Sequence, residues 1–160
     1  MPPLLLLLQA ALAAPAPQAC PASFAYTAPF AAWPAARASA APLIGQAVDI
    51  VPAPVAQAKF VTPPDRAAKP GTGAIVAGFA VKTAGVYRIA VGGPGARPKG
   101  IWIDVAANGQ TLRSVAHQEG PACSNIAKVV DFDLPAGHYT LQLAGIADPA
   151  QLVRVLILPR

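Results

Sequence analysis

Trp102 and Asp104 stand two residues apart in the run Ile101-Trp102-Ile103-Asp104-Val105. Alternate side chains of an extended chain share a face. Ile101, Ile103 and Val105 therefore point one way, and Trp102 and Asp104 the other. An outward indole beside a carboxylate is chemistry that holds sugars: the ring stacks on the apolar face of a pyranose and the carboxylate accepts its hydroxyl groups. The competing expectation is packing, with Trp102 covered by an aromatic N-terminal arm. His117-Gln118-Glu119 puts an imidazole and a carboxylate on one side of an extended chain, half of a metal site, and His138 is the only other histidine. Two His and one Glu could form the facial triad that holds iron, provided that His117, Glu119 and His138 converge. Ser114, His117 and Asp104 supply the side chains of a hydrolytic triad, but no G-x-S-x-G elbow presents the serine. Gly92-Gly93-Pro94-Gly95 opens no helix and so lacks the dipole that holds a phosphate. Asp131 and Asp133 share an outer face without an acid/base partner, as carboxylates that serve solubility do.

The elements that carry these residues read as strands. Thr83-Ala84-Gly85-Val86-Tyr87-Arg88-Ile89-Ala90-Val91 and Pro135-Ala136-Gly137-His138-Tyr139-Thr140-Leu141-Gln142-Leu143 are near copies. In each, an Ala-Gly turn precedes an inward Tyr and an alternating strand. Ile75, Ala77, Phe79 and Val81 share a face, as do Val130, Phe132 and Leu134, and Val153, Val155 and Ile157. Asn108-Gly109 tolerates positive φ at both positions, the strongest hairpin signal in the chain, and should join Ile101–Ala107 to Gln110–Ala116. Shorter strands are expected at Ala47–Val51 and Ala58–Val61, and a loop at 63–71. No stretch reads as a long helix. The fold class is all-β, an antiparallel, jelly-roll-like β-sandwich.

Thirteen of the 19 prolines lie at or before Pro70, which disfavours regular structure there. Yet Phe24, Tyr26, Phe30 and Trp33 fall within ten residues, and a disordered linker is normally poor in aromatics. The organisation expected is a signal peptide over 1–13, a Pro/Ala-rich aromatic arm over 14–46 that docks on the sandwich, and the sandwich over 47–160. The apolar run Leu4–Leu8 and the A-x-A pattern Ala11-Leu12-Ala13 mark the signal peptide, although Met1-Pro2-Pro3 carries no basic residue. No stretch reads as a transmembrane span. Cys20 and Cys123 are the only cysteines. In an exported chain such a pair forms a disulfide, and a loop of roughly 100 residues makes it worth about 4–5 kcal/mol in the chain-entropy model. The alternative for Cys20 is a lipid anchor, for which Pro17-Gln18-Ala19 lacks the aliphatic residue three positions before the cysteine.

Twelve Lys and Arg against seven Asp and Glu give a net charge of +5. The basic residues are spread from Arg37 to Arg160, densest at Arg97-Pro98-Lys99, and this spread does not suggest a nucleic-acid partner.

Residues 74–158 resemble small exported bacterial β-sandwich proteins in the style of pre-peptidase C-terminal and carbohydrate-binding domains. The resemblance is carried by Gly78–Val91, Ile101–Val105, Cys123–Lys128 and Leu134–Leu143. It implies a non-catalytic accessory or binding module, periplasmic or extracellular, whose partner is a glycan or an envelope protein and which needs no cofactor. Chains that resemble this one also carry the label homogentisate 1,2-dioxygenase. That family is an iron-dependent aromatic-ring dioxygenase, a longer protein with a cupin fold and iron on two His and a Glu. Pro135-Ala136-Gly137-His138 is similar to the cupin motif P-x-G-x-x-H, but His138 follows Gly137 directly, and His117-Gln118-Glu119 replaces the H-x-H that precedes the cupin Glu. The oligomeric state is left open.

Overall fold

Strands that bury every second residue need a second layer to bury them against. A computed structural model describes residues 19–160. The expected signal peptide and the first residues of the arm lie outside the described residues. The strands are β1 (Arg37–Ala38), β2 (Ala47–Ile50), β3 (Ala53–Pro54), β4 (Gly73–Val81), β5 (Gly85–Gly92), β6 (Trp102–Ala107), β7 (Gln110–Thr111), β8 (Ala116–Glu119), β9 (Ile126–Leu134), β10 (Gly137–Ile146) and β11 (Val153–Pro159). They form two sheets, β1-β2-β11-β5-β9-β8 and β3-β4-β10-β6-β7.

With the short strands β1, β3 and β8 set aside, the orders are β2-β11-β5-β9 and β4-β10-β6-β7. Among these eight, only β6 and β7 are consecutive strands of the same sheet. Every other connection changes sheets, which is the interlocked Greek-key path of a jelly roll. Neighbouring strands pair antiparallel except at the β1–β2 edge. The alternating faces expected from the sequence meet between the sheets: Ile75, Phe79, Ile89, Val105, Phe132, Leu141, Val155 and their neighbours form the core. Each fully buried Val, Leu, Ile or Phe contributes roughly 1.5–3 kcal/mol relative to an exposed one.

The two near-copies occupy equivalent places. One carries the chain from β4 to β5 and the other from β9 to β10, each time between sheets. Tyr87 Oη donates to the Thr83 carbonyl at 2.7 Å, and Tyr139 Oη to the Pro135 carbonyl at 2.7 Å. Each ring thus seals the corner that introduces it, as a tyrosine corner does.

The aromatic arm covers the outer face of the first sheet. Phe30 and Trp33 pack on Ala47, Ala90, Ile126, Val129 and Leu156. Tyr26 stacks on Trp33 at 6.4 Å and accepts a hydrogen bond from Asn125 N at 3.0 Å. The Cys20–Cys123 disulfide, with Cα atoms 5.3 Å apart, ties the start of the described arm to the β8–β9 loop. The arm is not extended throughout: a single 3-10 turn spans Trp33–Ala35, and its last part supplies the edge strand β1. Beneath it, Arg154 grips Asp49 with bonds of 2.7 and 2.8 Å and donates to the Trp33 carbonyl at 3.0 Å.

Three expectations need correction. Ala58–Val61 forms no strand, because the amides of Val61 and Thr62 donate to a side chain, Gln142 Oε1, instead of a neighbouring strand. The strand expected over Gln110–Ala116 is split between sheets. Leu112 packs against the core, and Ala116–Glu119 pairs with β9 instead. Asp131 is not a solubilising carboxylate: it is 2% exposed and accepts two bonds of 2.9 Å from Arg88 and one of 3.2 Å from Arg160.

Candidate functional site: a basic cleft around Trp102

Strand β6 presents Trp102 and Asp104 on the outer face of the second sheet, opposite the buried Ile103 and Val105. The aromatic arm lies on the other sheet and does not cover Trp102. A different segment does part of that work. In the β6–β10 register Asp104 faces Gln142 and Trp102 faces Ala144, so Asp104 and Gln142 stand side by side. Residues 61–65 run over them. Gln142, fully buried, accepts from the amides of Val61 at 2.7 Å and Thr62 at 3.3 Å, and donates to the Thr62 carbonyl and hydroxyl at 3.1 Å each. Asp104 Oδ2 accepts from the Asp65 amide at 3.2 Å, and Oδ1 from the indole N–H of Trp102 at 2.9 Å.

Both Asp104 oxygens are therefore engaged within the protein, and the residue is 3% exposed. It orients the indole instead of meeting sugar hydroxyl groups. Burial pushes its carboxyl above the usual carboxylate range; the Asp65 amide and the Trp102 N–H pull the other way.

Trp102 is half-buried and forms one wall of a cavity of about 220 Å³. Arg66, Lys69 and Lys99 line the same cavity. Gly100 and Gly145 form part of its lining, both with positive φ (+78° and +75°). A Cβ on Gly100 would stand 2.8 Å from the Gly145 carbonyl oxygen, and one on Gly145 would stand 2.7 Å from that of Gly100. Only glycines allow two backbones to bend past each other here.

An adjoining hollow of about 420 Å³ shares Arg66 and Lys99 and adds Arg97, Lys128 and Glu119. Lys128 Nζ lies 4.2 Å from the indole centre, within cation–π range. Burial pushes the Lys128 ammonium below its ordinary pKa, and the nearby Arg66 charge adds to this, while Glu119 and Asp104 oppose it. Arg97 is committed elsewhere: it donates to the carbonyls of Ser124 at 2.7 Å, Gly120 at 3.3 Å and Pro121, and so braces the loop that carries Cys123. Among the described residues, the ion pairs are Arg88–Asp131, Arg154–Asp49 and Arg160–Asp131. Arg66, Lys69, Lys99 and Lys128 join none of them.

The other candidate residues are not gathered. His117 and Glu119 lie exposed on β8, at the edge of the first sheet, and His138 lies exposed on β10 in the second. His138 occupies the corner position that Val86 holds in the other copy, and lines a shallow depression with Leu43 and Asn108. No three His, Cys, Asp or Glu side chains converge as metal ligands among the described residues. His117, Glu119 and His138 thus do not fit the iron set of a dioxygenase. Nor does His117 bond to Ser114 or Asp104.

The sequence reading missed the cations. They come from the β3–β4 loop, the β5–β6 loop and β9, and no local pattern joins those segments. One signal was present: Lys128 shares its face with Val130, Phe132 and Leu134, and a lysine continuing an inward apolar row has to surface at the end of the sandwich.

The chain matches no protein-family model, no curated protein and no solved structure. No helix among the described residues is long and apolar enough to cross a membrane.

Proposed function

We propose that this chain is an exported, non-catalytic binding module, and that the Trp102 cleft receives a sugar ring. The observation that carries the reading is an indole held in one orientation at the wall of a concave, glycine-lined cavity. Its N–H is bonded to Asp104 and the Lys128 ammonium is placed on the ring. Such pre-orientation lowers the entropy lost when a ligand binds. The cavity, at about 220 Å³, is smaller than the roughly 300–1,000 Å³ that encloses a whole small-molecule ligand. It suits one unit of a longer chain.

Three further points support the reading. Among the described residues lining the two hollows, Thr72 carries the one hydroxyl side chain, and it donates to the Lys69 carbonyl instead of a base. The Cys20–Cys123 disulfide is compatible with an oxidising compartment. The resemblance of residues 74–158 to carbohydrate-binding and pre-peptidase C-terminal domains points the same way.

Retention on immobilised polysaccharides, with melting temperature measured in parallel, tests the proposal. Trp102→Ala is expected to lose retention. Because that change also removes packing, Ala147→Phe provides a second variant. Ala147 is exposed and lines the cavity, so a ring there blocks the cavity without unpacking the sheet. Retention that survives Ala147→Phe and Trp102→Ala in folded protein would place the ligand elsewhere.

A further inference from the structure

We infer that the sugar unit held beside Trp102 is acidic, so that the ligand class is a polyanionic polysaccharide; this rests on the proposed function above. Trp102 marks a place for a ring, and the groups around it specify charge. Arg66, Lys69 and Lys99 line the cavity and no carboxylate does. Arg66 and Lys99 continue into the adjoining hollow, where Lys128 joins them and Glu119 is the single carboxylate in the lining. Four cations that join no ion pair among the described residues thus line the two hollows beside one indole, in a chain whose Asp49 and Asp131 are bound to arginines and whose Asp104 is bound to Trp102 and Asp65.

Burial disfavours the charge on Lys128, and the neighbouring Arg66 adds to this against the opposing pull of Glu119 and Asp104. A bound oxyanion offsets both effects and replaces water around Lys128, the partly buried cation of the four, where attraction is stronger than in bulk solvent. A carboxylate or sulfate on a pyranose supplies the anion and the ring together. The two hollows adjoin, with Arg66 and Lys99 in the lining of both, so a chain of such units would set one ring in the cavity against Trp102 and its neighbour over the second hollow.

Two other polyanions fit less well. Single-stranded nucleic acid is held by several aromatic side chains on which successive bases stack, and among the described residues Trp102 is the only aromatic lining either hollow. Anionic membranes are bound with apolar side chains inserted beside the basic ones. The exposed large apolar residues Leu43, Val51, Val61, Val115 and Leu152 line neither hollow.

The test is titration of the disulfide-bonded protein with polygalacturonate, heparin, a neutral dextran, a dT oligonucleotide and phosphatidylglycerol vesicles. Binding to polygalacturonate or heparin, at least about tenfold tighter than to dextran, is expected. It should weaken as salt rises from about 0.05 to about 0.5 M, over which screening shortens severalfold. The double variant Arg66→Gln/Lys99→Gln should lose about tenfold in affinity or more with its melting temperature unchanged, since both side chains are exposed. Polygalacturonate binding without heparin binding, or the reverse, would assign the carboxylate or the sulfate as the anionic group. Equal, salt-insensitive binding of dextran and the acidic polymers, still dependent on Trp102, would overturn the acidic inference and leave the sugar reading standing. Binding of the oligonucleotide or the vesicles alone, or of no probe at all, would overturn both.

Discussion

Asp104 shows how far a residue pair can be read before its surroundings are known. Alternation in β6 placed Trp102 and Asp104 outward, and that held, because period-two geometry is local. The role of the carboxylate did not follow, because residues 61–65 cover it, and nothing in Ile101–Val105 announces that cover. Its burial has a measurable consequence. The folded protein holds the Asp104 proton more tightly than the unfolded chain does. The stability this residue contributes is therefore fully present below the ordinary carboxyl pKa of about 3.9 and is lost as pH rises through the higher folded value. The urea midpoint of the native protein minus that of Asp104→Asn should accordingly increase as pH is lowered from neutral toward 4. Any fixed penalty from the amide cancels in that trend. A difference that instead shrinks on acidification would mean that the hydrogen bonds from Trp102 and Asp65 outweigh burial.

At the scale of elements, what is local was legible and what depends on distant partners was not. The Ala-Gly-x-Tyr copies are self-contained: turn, ring and acceptor carbonyl lie within five residues, so both corners could be recognised from sequence. Asn108 and Gly109 likewise adopt positive φ, 52° and 72°, and make the expected two-residue turn. The path after that turn was not legible. Leu112 leaves β7 for the core, and the edge of β9 accepts Ala116–Glu119. The outermost strands β1, β3, β7 and β8 span only two to four residues each, which limits the sheet edge open to another chain. The corners give a direct prediction. Tyr87→Phe and Tyr139→Phe each remove one hydrogen bond while keeping the ring in the core, so each should destabilise by about 1 kcal/mol. In a domain of this size that lowers the melting temperature by roughly 2–4 °C. The two bonds share no partner, so the double variant should show the sum within about 0.5 kcal/mol. A double variant no worse than either single one would show that the corners are not independent locks.

For the whole molecule, the arm and the disulfide act on different states, and this separates their effects. The arm stabilises the folded chain: Phe30 and Trp33 close the outer face of the first sheet, and Arg154 bonds the Trp33 carbonyl over the Asp49 pair. The disulfide joins residues 103 apart and acts mainly by restricting the unfolded chain, a term of about 4–5 kcal/mol for a loop this long. The cysteine pair was legible because only two cysteines exist. The sheet beneath the arm was not, because its floor of Ala47, Ala90, Ile126, Val129 and Leu156 is drawn from four strands. If the division is right, the Cys20→Ser/Cys123→Ser variant should keep its arm docked at neutral pH. The amide of Ala35, bonded to Ala32 in the turn after Trp33, should stay protected from hydrogen exchange by local opening. The amide of Asn125, bonded to Tyr26 beside the lost link, should exchange faster. Global stability from urea unfolding should meanwhile fall by several kcal/mol, and the protection of amides in both sheets should fall by the same amount, since a changed unfolded state lowers every globally protected site equally. Loss of protection confined to the first sheet, with the second unchanged, would show instead that the disulfide works by holding the arm in place.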